Sequence, residues 1–84
     1  MIKIFSTQWC PSCVFAKRLL DEKKIQYSEV DLDKKNITRE KLFELTGGYT
    51  VPQIVINEKS IGGYENLLEL VQNDKLNDLL NDKS

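Results

Sequence analysis

The spacing of apolar residues along this chain changes several times, and each change marks an element. Ile2, Ile4 and Phe5 form a short apolar run suited to a buried central strand, which closes in the polar turn Ser6-Thr7-Gln8. From Pro11 onward the period is helical. Val14, Phe15, Ala16, Leu19 and Leu20 trace an amphipathic face until the polar cluster Asp21-Glu22-Lys23-Lys24 ends it. Mixed alternation at Ile25, Tyr27, Val30 and Leu32 predicts a second strand over 25–32, parallel to the first because a helix joins them. Asn36-Ile37-Thr38 then offers an N-cap, Ile37, Leu42, Phe43 and Leu45 follow at roughly helical spacing, and Gly47-Gly48 stops that helix.

Val51-Pro52-Gln53-Ile54-Val55-Ile56 is strongly β-forming, with its proline at the start of the run, where a strand tolerates one. Asn57-Glu58 makes a hairpin turn, Lys59-Ser60-Ile61 returns as a short antiparallel strand, and Gly62-Gly63 redirects the chain into a helix over 64–71. Leu67, Leu68, Leu70 and Val71 mark that helix. Asp74 to Leu80 adds a last turn or two that packs Leu76, Leu79 and Leu80, and residues 81–84 are expected to fray. The expected architecture is α/β in the order β-α-β-α-β-β-α, a four-stranded mixed sheet with flanking helices, in a single domain spanning residues 1–84.

Length and charge narrow the function classes. At 84 residues the chain can bury one sheet-and-helix core but not two, and a deep substrate cavity is not expected. Charged residues at 30% and hydrophobic ones at 40% are ordinary for a soluble globular chain, and a formal net charge of −1 gives no electrostatic reason for a nucleic acid or anionic membrane partner. The start, Met1-Ile2-Lys3-Ile4-Phe5, is too short and interrupted for a signal peptide, and no apolar run approaches membrane-spanning length. A reducing, cytoplasmic home and a monomeric state are the resulting expectations.

The two cysteines add chemistry to this picture. Both lie in Trp9-Cys10-Pro11-Ser12-Cys13, directly after the first strand and at the start of the first helix. Two thiols at i and i+3 stand about 5–6 Å apart at their roots, within disulfide reach. A bond there closes so small a ring that it adds little stability through chain entropy, which disfavours a structural staple. A zinc half-site is the stronger rival, since C-x2-C is a common ligand spacing. The chain has no histidine and no third cysteine, however, so any metal would need ligands from another molecule. Two inert helix cysteines are a third reading. A dithiol that exchanges with other disulfides accounts for the pair best in a cytosolic strand-helix-strand setting. Pro11 suits the first helical position, having no N–H to lose and a φ preset for entry, so Cys10 is expected at or next to the N-cap. Its sulfur would then lie among unpaired amides at the positive end of the helix dipole, where a thiolate, the nucleophilic form, is favoured.

Cys10-Pro11-Ser12-Cys13 at the first helix, Thr50-Val51-Pro52 ahead of the third strand and Gly62-Gly63 after the fourth closely resemble a dithiol glutaredoxin in order and separation, over nearly the whole chain. The resemblance implies a thioredoxin-like (glutaredoxin) fold and catalytic Cys10 and Cys13. It also implies glutathione as reductant and co-substrate, no metal, and reduction of disulfide-containing or glutathionylated proteins. It implies a cis bond before Pro52, which would leave the Val51 N–H and C=O unpaired toward the thiols, ready to pair with an extended Cys-containing peptide. The plainer alternative is a proline that opens an edge strand. The Tyr64 and Glu65 amides beyond Gly63 form a ready anion site. By resemblance the γ-glutamyl carboxylate of glutathione binds there, the Glu65 side chain holds its amino group, and Arg39 reaches its glycyl carboxylate. Pro11, Ser12, Thr50, Val51 and Pro52 complete the implied glutathione site. An ordinary capped turn at Gly62-Gly63 and a solvated charge at Arg39 are the plain readings.

The chain departs from the family pattern at several positions. Thr7 stands where a lysine is common, Ser12 where Tyr usually separates the cysteines, Gly48 and Tyr49 where Arg or Gln precedes Thr-Val-Pro, and Glu65-Asn66 where Asp follows the glycines. Loss of one exposed charge contact costs roughly 0.2–1 kcal/mol, up to about fivefold in affinity, so weakened glutathione binding is expected rather than none. Two alternatives stand beside the enzyme reading. One is a redoxin fed by thioredoxin reductase and serving ribonucleotide reductase. The other is a module that shares an iron-sulfur cluster across a dimer through Cys10 and glutathione; Pro11, by resemblance, goes with the enzymatic branch instead. With no histidine, acid-base help falls to backbone amides, Ser12, Cys13 or water, and Lys17 lies two turns along the same helix face.

Overall fold

The computed structural model describes residues 1–81; residues 82–84, most of the tail expected to fray, lie outside the described residues. Eight elements follow in order: β1 (Ile2–Ser6), α1 (Pro11–Glu22), β2 (Ser28–Asp31), α2 (Arg39–Thr46), β3 (Gln53–Ile56), β4 (Lys59–Gly62), α3 (Tyr64–Gln72) and α4 (Leu76–Leu80). The strands form one sheet in the order β2-β1-β3-β4. β1 runs parallel to β2 and antiparallel to β3, and β3 runs antiparallel to β4. The expected element order and mixed sheet are both present, with α4 as the added last turn.

Alternation along the central strands sorts the core into two layers. Ile2 and Ile4 of β1 and Ile54 and Ile56 of β3 share a layer with Ala16 and Leu20 of α1, Leu67 of α3 and Leu76 of α4. Phe5 belongs to the other layer, with Leu32, Leu42 of α2 and the partly buried Val30, Ile37, Val51 and Val55. Because helices cover both faces, β1 reads in the sequence as an apolar run instead of a clean alternation.

The structure differs from the sequence pattern at three places. β2 begins only at Ser28, because Lys24 turns left-handed (φ 59°) and the Ile25 amide donates back to the Leu20 carbonyl at 2.9 Å. Ile25 and Tyr27, partly buried, still pack on the first core layer, so their apolar character reports a helix exit that covers the core edge, not a strand. On α2 only Leu42 is buried, whereas Phe43 and Leu45 are nearly half exposed. At about 100° per residue, positions 42, 43 and 45 cannot all point at one sheet. In α1, Val14 and Phe15 likewise flank the buried stripe of Cys13, Ala16 and Leu20.

Caps and turns follow the local chemistry. Thr38 caps α2 by accepting from the Lys41 amide at 3.0 Å, and Gly47 ends the helix at φ 82°. Asn57 and Glu58 have φ of 49° and 70°, the paired positive values that a two-residue hairpin needs. Asn57 Nδ2 also donates to the carbonyls of Leu79 (2.7 Å) and Leu80 (3.2 Å), fastening α4 to the hairpin.

Candidate functional site

Cys10 is the N-cap of α1, with extended backbone at φ −118° and ψ 100°, and Pro11 is the first helical residue. Its sulfur takes the place of a capping oxygen, since the Cys13 amide donates to Cys10 Sγ at 3.0 Å. When reduced, a sulfur carrying that hydrogen bond at a helix start is stabilised as the thiolate. In the structure a disulfide joins Cys10 and Cys13 across Cα atoms 5.2 Å apart. Cys13 has no exposed surface and Cys10 keeps 8%, so Cys10 is the more accessible sulfur of the pair.

Beside the sulfurs runs the loop that leads into β3. The Val51-Pro52 bond is cis, as the resemblance implied. Val51 O lies 3.6 Å from Cys10 Sγ, and no described residue accepts from the Val51 N–H. Two side chains hold this loop. From outside, Arg39 Nη1 donates to the Tyr49 carbonyl at 3.0 Å, while the Tyr49 ring stacks on Phe43 with centroids 4.5 Å apart. From inside, the buried Gln53 Nε2 donates to the Thr50 carbonyl at 2.9 Å.

The third wall is the start of α3. Gly62 has φ 107°, a value that suits glycine, and Gly63 is an N-cap with no side chain to offer. The Gly63 amide donates to Asn66 Oδ1 at 3.3 Å, while the Tyr64 and Glu65 amides, at the first two helical positions, have no intrahelical acceptor. The Tyr64 ring meets Phe15 of α1 at 6.1 Å between centroids, tying the two helix starts together.

Ser12, Thr50-Val51-Pro52 and Gly63 to Asn66 line a groove of about 310 Å³ between these walls. A larger hollow of about 490 Å³ lies along Asp21, Lys24, Ile25, Gln26 and Tyr27, but none of these residues touches the cysteine pair, whereas the first is lined by Val51, whose carbonyl is 3.6 Å from Cys10 Sγ. The structure therefore gathers Ser12, Thr50, Val51, Pro52, Gly63, Tyr64 and Glu65 around one groove; Cys10 and Cys13 are not in its lining, but Ser12 lies between them in the chain and Val51 O is 3.6 Å from Cys10 Sγ. Pro11 and Arg39 are not in the lining: Pro11 starts the helix, and Arg39 is bonded to the Tyr49 carbonyl. Sequence reasoning missed Asn66 as a site residue, although an amide side chain at the third helical position after a glycine cap is a recognisable capping signal. It also missed Gln53, for which strand pattern offered no signal, since its partner is three residues back in an irregular loop.

Lys17 is engaged elsewhere. Its Nζ lies 2.6 Å from Glu29 Oε2, which also accepts from the buried Ser6 hydroxyl at 2.8 Å. The hydrogen bond from Lys17, then that from Ser6, holds the Glu29 carboxyl below its ordinary range. Among the described residues, no three His, Cys, Asp or Glu side chains gather as metal ligands, and no helix is long and apolar enough to cross a membrane.

A family model described as Glutaredoxin matches residues 2–61. The chain belongs to the glutaredoxin family. Glutaredoxin of Pseudomonas aeruginosa is 40% identical over 79 residues, covering 94% of this chain and 94% of that one. Glutaredoxin 3 of Escherichia coli K12 is 35% identical over 79 residues, covering 94% of this chain and 95% of that one. Among solved structures, a buckwheat glutaredoxin-glutathione complex matches with a TM-score of 0.84 at 31% identity, over 94% of this chain and 74% of that chain. The reduced glutaredoxin C1 of Populus tremula x tremuloides matches with a TM-score of 0.84 at 33% identity, over 96% of this chain and 72% of that chain. The fold is thus thioredoxin-like. With the Cys10–Cys13 pair set at the start of α1, the family places this chain among thiol-disulfide oxidoreductases.

Proposed function

We propose that the chain is a glutathione-disulfide oxidoreductase that reduces protein disulfides and glutathione-protein mixed disulfides, with Cys10 as nucleophile and Cys13 as resolving thiol. The groove carries this reading. It combines a peptide edge at Val51, whose carbonyl lies 3.6 Å from the more accessible sulfur, with the two open amides of α3, the donors and acceptors that a short peptide with a free carboxylate would use. Its volume of about 310 Å³ lies at the lower end of small-molecule sites, which suits a tripeptide whose sulfur stays linked to a protein outside. The solved complex of the buckwheat relative with glutathione supports the same ligand here.

In the reduced enzyme the Cys10 thiolate attacks one sulfur of the substrate disulfide. The substrate S–S bond breaks, and its electron pair leaves on the departing thiolate, which takes a proton from water. For a protein disulfide, Cys13 then gives up its proton and attacks Cys10 Sγ, releasing the second substrate thiolate and closing the Cys10–Cys13 disulfide. One glutathione opens that bond as a mixed disulfide on Cys10, and a second leaves with the first as glutathione disulfide. Two glutathiones lose the two electrons that the substrate gains. For a glutathionylated protein, Cys10 takes the glutathione moiety and one further glutathione removes it. The cytoplasm belongs to the proposal, because a reducing glutathione pool returns the pair to the dithiol.

The test is turnover of a glutathionylated peptide with glutathione and glutathione reductase, run beside thioredoxin reductase. Sustained turnover with glutathione is the expected result. Turnover supported by thioredoxin reductase alone would replace this reading with that of a thioredoxin-reductase-fed redoxin.

A further inference from the structure

We infer that Gln53 is a positioning residue for the substrate-binding edge, and that Gly48 is the space its carboxamide requires. Gln53 opens β3 and is one of two buried polar residues among the described residues, with 6% exposed. Its Nε2 donates to the Thr50 carbonyl at 2.9 Å and lies 3.4 Å from Thr50 Oγ1. A carbonyl oxygen can only accept, so the first contact fixes which end of the carboxamide faces the loop. The bond joins residues 50 and 53 and so brackets Val51 and Pro52. Val51 is the residue whose carbonyl stands 3.6 Å from Cys10 Sγ. The Gln53 side chain therefore sets the direction in which the Val51 N–H and C=O meet a bound peptide.

The same carboxamide lies against residue 48. A Cβ on Gly48 would come 2.4 Å from Gln53 Nε2, 2.7 Å from Cδ and 3.0 Å from Oε1. The backbone of Gly48 is not in the left-handed region, so nothing in its own conformation calls for glycine. The demand comes from Gln53. Because the clashing atoms are the end of a side chain, a methyl group at 48 would push the carboxamide away and break its bond to Thr50. A side chain at 48 and the inner tether of the loop exclude each other.

This inference rests on the proposed function for its substrate, and the test separates the two. KM, kcat and the thiolate titration of Cys10 are measured with a glutathionylated peptide for wild type, Gln53→Met, Gly48→Ala, Gln53→Ala and the double variant Gly48→Ala/Gln53→Ala. Gln53→Met keeps volume and removes the donor, and should raise KM roughly five- to tenfold while kcat and the titration hold. Gly48→Ala should do the same, and it keeps the test alive if Gln53→Met fails to fold, since it takes nothing out of the core. In the Gln53→Ala background the added methyl has open room, so Gly48→Ala should change KM by no more than about twofold. A wild-type KM in Gln53→Met with only a lower Tm would reduce Gln53 to packing and overturn the inference, as would full additivity in the double variant. If wild type turns over no glutathione substrate, the proposed function falls instead, and the same comparison is read in the KM for a protein disulfide, which meets the same edge.

Discussion

Two helix starts border the groove, and they are finished in opposite ways. α1 is capped by the reacting atom itself, Cys10 Sγ, with the Cys13 amide on it at 3.0 Å. α3 is capped by Gly63, which has no side chain, and Asn66 covers the Gly63 amide but leaves those of Tyr64 and Glu65 open. α2, away from the groove, shows the ordinary solution, a Thr38 hydroxyl accepting from Lys41. A glycine cap gives up only a few tenths of a kcal/mol against a capping side chain. The open amides of α3 therefore cost little in folding, and on the proposed function they would hold an anion, whereas the amide at α1 would favour a thiolate on Cys10. On the proposed function, one terminus favours the thiolate and the other is left open for the substrate's carboxylate.

Serine at position 10 separates capping from chemistry. Cys10→Ser keeps an N-cap oxygen, so Tm should stay near wild type, yet a hydroxyl at neutral pH cannot replace a thiolate and every exchange activity should vanish. Cys13→Ser should behave differently. Transfer of glutathione from a mixed disulfide to free glutathione needs one thiol, so that activity should persist, while reduction of a protein disulfide stalls for want of a resolving thiol. Both variants are assayed on a glutathionylated peptide and on a disulfide protein. Turnover in Cys10→Ser with loss in Cys13→Ser would reverse the assignment of the two sulfurs.

The opposite change is made at α3. Gly63→Asp supplies the missing cap, and a Cβ there meets only Pro52 O at 3.4 Å, a contact the fold can hold. Denaturant unfolding should show a gain of a few tenths of a kcal/mol, and the KM for glutathionylated peptide should rise roughly tenfold, because the new carboxylate occupies the amides and repels an incoming one. A wild-type KM in a stabilised variant would show that the open amides of α3 are not used. Arg39→Ala should give less, a KM up to about fivefold higher with kcat held, since an exposed charge far from the sulfur binds ground and transition states alike. Wild-type kinetics there would leave Arg39 as a loop tether through Tyr49 and nothing more.

The α1 terminus was legible in the sequence because its signals are local: a proline at the first helical position, two cysteines three apart and a strand just before. The element order was legible for a similar reason, since Gly47-Gly48, Asn57-Glu58 and Gly62-Gly63 punctuate the chain locally, whereas the strand order β2-β1-β3-β4 was not read from it. What pattern alone overstated were faces and edges. Phe43 and Leu45 share the hydrophobicity of Leu42 but not its direction, and Ile25 and Tyr27 are partly buried without being in a strand. The cis bond at Pro52 came from the family resemblance, not from the residues around it. Gln53 was not legible at all, because its role depends on Gly48 and Thr50 folding back against it.

The smallest effect expected concerns Lys17, which sequence alone places on the same face of α1 as the thiols. Its ammonium is paired with Glu29 at 2.6 Å, and that pairing lowers the Glu29 carboxyl from its ordinary range. A carboxyl depressed in the folded state stabilises the fold above its unfolded value of about 4.3, and the contribution is lost as pH falls through the folded value. The Glu29 side chain is 40% exposed, so solvent screens the pair and the contribution stays small. Lys17→Met should therefore show a slight Tm deficit at neutral pH that disappears in acid, with the exchange rate and the thiolate titration of Cys10 unchanged. A shift of that titration to higher pH would mean that the ammonium, and not the Cys13 amide, is what favours the thiolate, and the contrast between the two helix starts would lose its first member.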